Sequence, residues 1–164
     1  MSSSVPSPTI STAVLPLVVF AIEGQRYGLS LPVVERVLPM VEVSPLPQAP
    51  AIALGVINLH GRAVPVVDIR RRFGLPPRDY GLTGNLLVAQ TKRRTLVLPV
   101  DEVVGVTEVA LEAINPPDAV LPGIGHVAGI VTLGHGLLFI QDLDAFLSLD
   151  EEQALTEALE ERER

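Results

Sequence analysis

Gly55-Val56-Ile57-Asn58-Leu59-His60-Gly61-Arg62-Ala63-Val64-Pro65-Val66-Val67-Asp68-Ile69-Arg70-Arg71-Arg72-Phe73 decides the fold. Val56, Ile57 and Leu59 belong to a run rich in β-formers, and Val64, Val66 and Val67 belong to a second. His60-Gly61 between them fits a two-residue hairpin turn, because glycine takes positive φ freely and histidine does so more readily than most residues. Alternation then places Ile57, Leu59, Val64 and Val66 on one face, with Asn58, Ala63, Pro65 and Val67 on the other. Pro65 has no N–H to give a ladder, so the return strand is expected to run along a free or bulged edge there. Asp68 is placed to cap a short turn of helix over residues 69–73, which Gly74 ends and Pro76-Pro77 cannot continue.

Working outward, residues 15–23 and 26–31 read as a hairpin turning at Gly24-Gln25. Residues 32–37 read as a turn leading into a strand at 37–43. The Pro-rich run 44–51 reads as a rigid crossover. After the central hairpin and a loop at 78–84, strands are expected at 85–90 and 95–100, with Thr91-Lys92-Arg93-Arg94 as a solvated tip. Further strands are expected at 103–109, 128–133 and 137–141, with a Pro/Gly-rich crossover at 115–125 and a turn at Gly134-His135-Gly136. Asp142 caps a turn carrying Leu143, Phe146 and Leu147. Ser148 and Glu151 form a capping box for a last helix with Leu155, Ala158 and Leu159 on its apolar side. Residues 1–14, mostly Ser, Thr and Pro, form a tail with little to bury. The main domain spans 15–149, and 150–164 is an acidic helix packed on it.

Two stretches repeat. Leu29-Ser-Leu-Pro-Val-Val-Glu-Arg-Val37 matches Leu96-Val-Leu-Pro-Val-Asp-Glu-Val-Val104 at six of nine positions. Gly55, Leu59 and Asp68 recur as Gly129, Leu133 and Asp142 at the same spacing. Two copies of about seventy residues imply two similar small β-barrels packed together, with the groove between them as the default binding site.

Composition narrows the function. The 164 residues are 48% hydrophobic but only 4% aromatic, so the core is aliphatic, and 13 Gly with 15 Pro supply frequent turns. The chain has no cysteine, which excludes a disulfide framework, a thiolate zinc site and a cysteine nucleophile. The net charge is −7, of which about −5 lies from Asp150 onward. That balance opposes a nucleic-acid role, and neither Arg70-Arg71-Arg72 nor Lys92-Arg93-Arg94 has aromatic platforms beside it. His60, His126 and His135 have no metal-ligand spacing, and no metal or cofactor is expected. Gly123-Ile-Gly-His-Val-Ala128 has the letters of a dinucleotide fingerprint but leads into a strand instead of a helix. No residues form a catalytic constellation, so no enzymatic activity is expected. The apolar run 13–22 lacks a preceding basic residue and is too short to span a bilayer, which favours a cytoplasmic protein without membrane insertion.

The 54–68 stretch closely resembles the signature hairpin of the CheW family of chemotaxis adaptors. The Tyr27-Gly28 strand, the Pro-rich loop before the signature, Val100-Asp101-Glu102-Val103 and Gly136-Leu137-Leu138-Phe139-Ile140 follow in family order, so that the likeness covers about residues 17–159. The resemblance implies an all-β fold of two SH3-like five-stranded barrels around a shared core, with short capping helices and a C-terminal helix. It implies a non-catalytic adaptor that couples chemoreceptor cytoplasmic tips to the regulatory domain of a CheA-type histidine kinase. The chain is too short to carry a receiver or kinase domain as well. By position it implicates Val34, Arg36, Gly55, Asn58, Leu59, His60 and, in the second barrel, Val106 in receptor binding. Val41 and Val43, near the end of the first barrel, are implicated in kinase docking. Two positions depart from the family pattern: His60 stands where Arg is usual, and Arg36 where Glu is frequent. A guanidinium is always charged and forks onto carboxylates, whereas an imidazole is mostly neutral at pH 7. Alternative readings are a divergent CheW-like scaffold of a pilus-motility or gene-regulatory array and, against the aliphatic composition, a small-ligand-binding double barrel.

Overall fold

The computed structural model describes residues 13–80, 83–117, 127–134 and 136–163. Residues 1–12 of the expected tail, most of the second crossover, His126 and His135 lie outside them. The described residues form ten strands in two five-stranded sheets. The first copy of the repeat gives β1 (Val14–Ile22), β2 (Gln25–Ser30), β3 (Val34–Pro39), β4 (Ala53–Leu59), β5 (Arg62–Val67) and α1 (Ile69–Arg72). The second gives β6 (Asn85–Gln90), β7 (Thr95–Val100), β8 (Glu102–Ala110), β9 (Val127–Leu133) and β10 (Gly136–Gln141), with a turn in place of α1, and α2 (Leu149–Arg162) follows.

The repeat does not supply one barrel per copy. The sheets run β8-β1-β2-β10-β9 and β3-β6-β7-β5-β4, so each copy lends its third strand to the other's first hairpin. Val106 on β8 therefore belongs with β1 in one barrel, while Val34 and the segment carrying Val41 and Val43 belong with β6 and β7 in the other. The exchange makes the barrels inseparable. The 3-10 turn at Leu31–Val33 and the single residue Asp101 carry the chain across to the opposite sheet instead of back onto the preceding strand.

Each barrel closes through a matching pair of bonds. Ser44 and Val56 exchange N–H···O bonds of 2.9 and 2.8 Å, as do Asn115 and Ile130 at 2.8 and 2.9 Å. The residue before each closing strand position is a repeated glycine. A Cβ on Gly55 would strike the Ser44 carbonyl oxygen, and its φ of 152° suits glycine; a Cβ on Gly129 would strike the Ile114 side chain. Both glycines leave room for the segment that closes the barrel.

Every sheet has two buried faces, hence three aliphatic clusters. Leu17, Val19, Val131, Leu138 and Ile140 fill one barrel. Ile57, Leu59, Val64, Val66, Leu86, Val88 and Val97 fill the other, as the alternation of the central hairpin predicts. Between them lies the largest cluster, joining Phe20, Tyr27 and Leu29 of one sheet to Val56, Val67, Leu87 and Leu98 of the other. Leu155 and Ala158 of α2 close this shared core. Burying Leu155 fully contributes about 1.5–3 kcal/mol. The capping box is present: Ser148 Oγ accepts from Glu151 N, and Glu151 Oε1 accepts from Ser148 N.

Three local expectations change. β3 starts at Val34, three residues early, with a bulge between Val34 and Arg36, and Pro39 ends it. β5 is an interior strand, not an edge: Pro65 pairs with Val56 of β4, and the parallel ladder to β7 is the single pair Val66–Val97. The 91–94 tip is not simply solvated. Thr91 Oγ1 accepts from the N–H of Arg93 and Arg94, and Arg94 reaches Glu152 (2.8 Å) and Thr156 (2.6 Å) on α2.

Candidate functional site

The tip of the β4–β5 hairpin is built for shape before chemistry. His60 and Gly61 have φ of 52° and 84°, the conformation that matches the twist of the flanking strands, and Leu59 pairs directly with Arg62. Asn58 Oδ1 accepts from Gly61 N at 2.9 Å and fixes the turn. Barrel closure brings the tip against β3, where Arg36 Nη1 lies 2.9 Å from His60 Nε2. Only a nitrogen without a proton can accept there, so this bond requires the imidazole proton on Nδ1. Arg36, Asn58 and His60 are all exposed.

The structure thus brings together Arg36, Asn58 and His60, and it separates two members of the expected receptor set from them. Gly55 and Leu59 are buried, Gly55 at the barrel closure and Leu59 inside its barrel. They hold the tip in place and offer no side chain to a partner. Val34 is half-buried against the shared core, while Val106 on the edge strand β8 is 61% exposed. Val34 and Val106 sit on edge strands of different barrels. Val41 and Val43 lie beyond the other end of β3, about 20 Å along the strand from Val34. They line a groove of about 650 Å³ with Met40, Leu54, Tyr80 and Pro99.

Sequence reasoning missed the residue that bonds the barrels. Arg70 is 1% exposed, although it sits in a run of three arginines. The first turn of a helix points successive residues in different directions. Arg71 pairs with Asp68 and Arg72 with Glu151, and Arg70 turns inward. Its guanidinium donates to Glu23, to Tyr80 Oη (3.0 Å), to the Pro76 carbonyl (3.2 Å) and to Asp101 Oδ1 (3.0 Å). Asp101 also takes Arg78 (2.9 Å) and the Glu23 N–H (2.8 Å). Burial alone would lower the Arg70 pKa; the bonds to Glu23, Tyr80 and Asp101 outweigh it and hold the group above its usual value. Tyr80 is pushed up by burial, against the pull of Arg70. Asp101, next to Glu102, is therefore a clasp between the β1–β2 turn and the opposite barrel. Among the described residues no group of three or more His, Cys, Asp or Glu could hold a metal.

The comparisons with known proteins converge on this architecture. The CheW-like domain family matches residues 16–151. The chain belongs to that family.

The CheW-like chain is 29% identical over 140 residues to a probable chemotaxis protein CheW of Rhizobium etli, covering 84% of this chain and 90% of that one. It is 28% identical over 147 residues to chemotaxis protein CheW of Treponema pallidum, covering 85% of each. Its fold matches the crystal structure of the scaffolding protein TtCheW from Thermoanaerobacter tengcongensis with a TM-score of 0.76 at 26% identity, over 85% of this chain and 96% of that chain. The function is that of a chemotaxis adaptor, and a ligand-binding double barrel is not favoured. Within the family pattern, the two departures noted in the sequence are one contact, since Arg36 and His60 are bonded to each other. This CheW-like domain sets a guanidinium on β3 against the imidazole of the hairpin tip.

Proposed function

We propose that the chain couples a chemoreceptor tip to the regulatory domain of a CheA-type histidine kinase in the cytoplasm, without catalysis of its own. What supports the reading is that the residues proposed for the two partners fall in different places. Arg36 and His60 meet beside Asn58 at the hairpin tip, with Val34 and Val106 on edge strands of the two barrels, and Val41 and Val43 line the groove beyond β3. A receptor tip is a helical hairpin, so its contact is an apolar helix face laid along the first surface. Val106, with its exposed methyl groups, is the anchor there. Val41 is 44% exposed and Val43 is half-buried, which suits the rim of a second docking groove. No helix among the described residues is long and apolar enough to cross a membrane.

The test is calorimetry of variants against a receptor-tip fragment and an isolated CheA regulatory domain. Val106→Asp sets an unpaired carboxylate into an apolar contact and is expected to weaken receptor binding at least about tenfold, with kinase affinity unchanged. Val41→Asp is expected to do the reverse. Equal losses for both partners in a folded variant would show one shared site, and the proposal would fall.

A further inference from the structure

Among the described residues, five of the ten arginines pair with a carboxylate: Arg70 with Glu23 and Asp101, Arg71 with Asp68, Arg72 with Glu151, Arg78 with Asp101, and Arg94 with Glu152. Of the other five, Arg26 lies on β2 and Arg36 on β3. Arg62, Arg93 and Arg162 have no carboxylate partner among the described residues, and all three line one groove of about 580 Å³ between the signature hairpin and α2. Gly61 of the hairpin tip forms its near end, and Arg36 stands beside the tip on the other side. Glu163 is the one acid that lines the groove, against three free guanidinium groups and the already paired Arg94. A chain of net charge −7 thus gathers unpaired cations along one strip beside the proposed receptor surface.

We infer that this strip receives an acidic polypeptide segment, a carboxylate-bearing helix face of the same partner that the hairpin tip contacts. The inference rests on the proposed receptor surface and adds the chemistry of what lies beside it. Guanidinium forks match carboxylates two bonds at a time, and such pairs strengthen where a partner excludes water. Like charges held close together are unfavourable in the free protein, and an anionic partner offsets that repulsion. A nucleic acid fits the groove poorly, because no aromatic side chain lines it to stack a nucleobase.

The test uses the full chain and two fluorescent amphipathic peptides of about twenty residues, long enough to form a stable helix on binding. Both carry the same leucine stripe; one has Glu beside the stripe and the other has Gln at those positions. The Glu peptide is expected to bind at least about tenfold tighter at low salt, with the gap closing at high salt. Arg62→Glu combined with Arg93→Glu is expected to erase the preference while the circular dichroism stays that of the wild type. Equal affinity for the two peptides, a preference that survives the charge reversal, or binding of neither at about 1 mM would overturn the inference. Tighter binding to anionic vesicles or to a single-stranded oligonucleotide than to the Glu peptide would overturn it as well. Val106→Asp separates this inference from the reading beneath it. Loss of both peptides in that variant with no Glu preference in the wild type defeats the strip alone. A Glu preference that Val106→Asp leaves untouched defeats the placement of the apolar contact and leaves the strip standing.

Discussion

The corner where each repeat's first hairpin meets the opposite barrel occurs twice in this molecule, and the two corners have gone different ways. At one, Asp101 follows β7 and meets Arg70 from the turn after β5, together with Glu23 of the β1–β2 turn. At the other, the repeat puts Val34 in the place of Asp101 and Asp144 in the place of Arg70. The caps before them are alike: Asp68 Oδ1 accepts from Arg70 N at 2.9 Å, and Asp142 Oδ1 accepts from Asp144 N at 3.1 Å. Asp144 then accepts from the Lys92 N–H of the β6–β7 turn at 2.7 Å, a lighter version of the grip that Arg70 has on Glu23. One corner is an ionic clasp, while the other is an apolar, half-buried edge next to the proposed receptor surface. The same backbone gives a lock when a buried guanidinium meets a half-buried carboxylate, and an apolar edge when it does not.

Breaking the lock should have the largest effect. Arg70→Met leaves Asp101 and Glu23 facing each other with only Arg78 between them. Removing one partner of a buried ionic network costs about 3–5 kcal/mol, read as a lower urea midpoint. A loss under about 1 kcal/mol would mean that the clasp is mostly solvated and that the corners differ little.

A smaller effect is expected from converting the open corner into the locked one. Val34→Asp should cost about 1–3 kcal/mol, because a carboxylate at this half-buried edge has the acid Asp144 as its counterpart. Adding Asp144→Arg should recover part of that loss, with a favourable coupling of at least about 0.5 kcal/mol in a double-mutant cycle. Strict additivity of the two changes would show that the repeat's equivalence does not extend to contact at this corner.

The smallest effect concerns the caps. Burial raises the Asp68 carboxyl above its ordinary range, against the pull of the Arg70 N–H and the charges of Arg71 and Arg70. A group raised in the folded state favours folding when protonated. Its contribution is complete below its unfolded value of ~3.9 and is lost as pH rises through the folded value. Asp68→Asn keeps the cap acceptor and has no charge to bury. Relative to wild type the variant should therefore gain stability between about pH 3 and pH 7 in urea titrations.

The sequence alone determined the local pieces. Strands 85–90 and 95–100, the two-residue turn at His60-Gly61, the Asp68 cap and the Ser148–Glu151 box depend on alternation and on side chains a few residues apart, and they stand as read. The signature hairpin and the repeat were also enough to indicate the family. Tertiary structure decided what depends on distant partners. It assigned β3 and β8 each to the other copy's first hairpin, because these pairings join strands about fifty to ninety residues apart in the chain, beyond any local pattern. It set Gly55 at the barrel closure, because the approach of Ser44 is invisible in the local pattern. It separated three consecutive arginines into one buried clasp and two helix-face pairs, and it joined Arg36 to His60 across 24 residues of chain. Charge type is written in the sequence, but whether a charge is paired depends on which backbones the fold sets side by side.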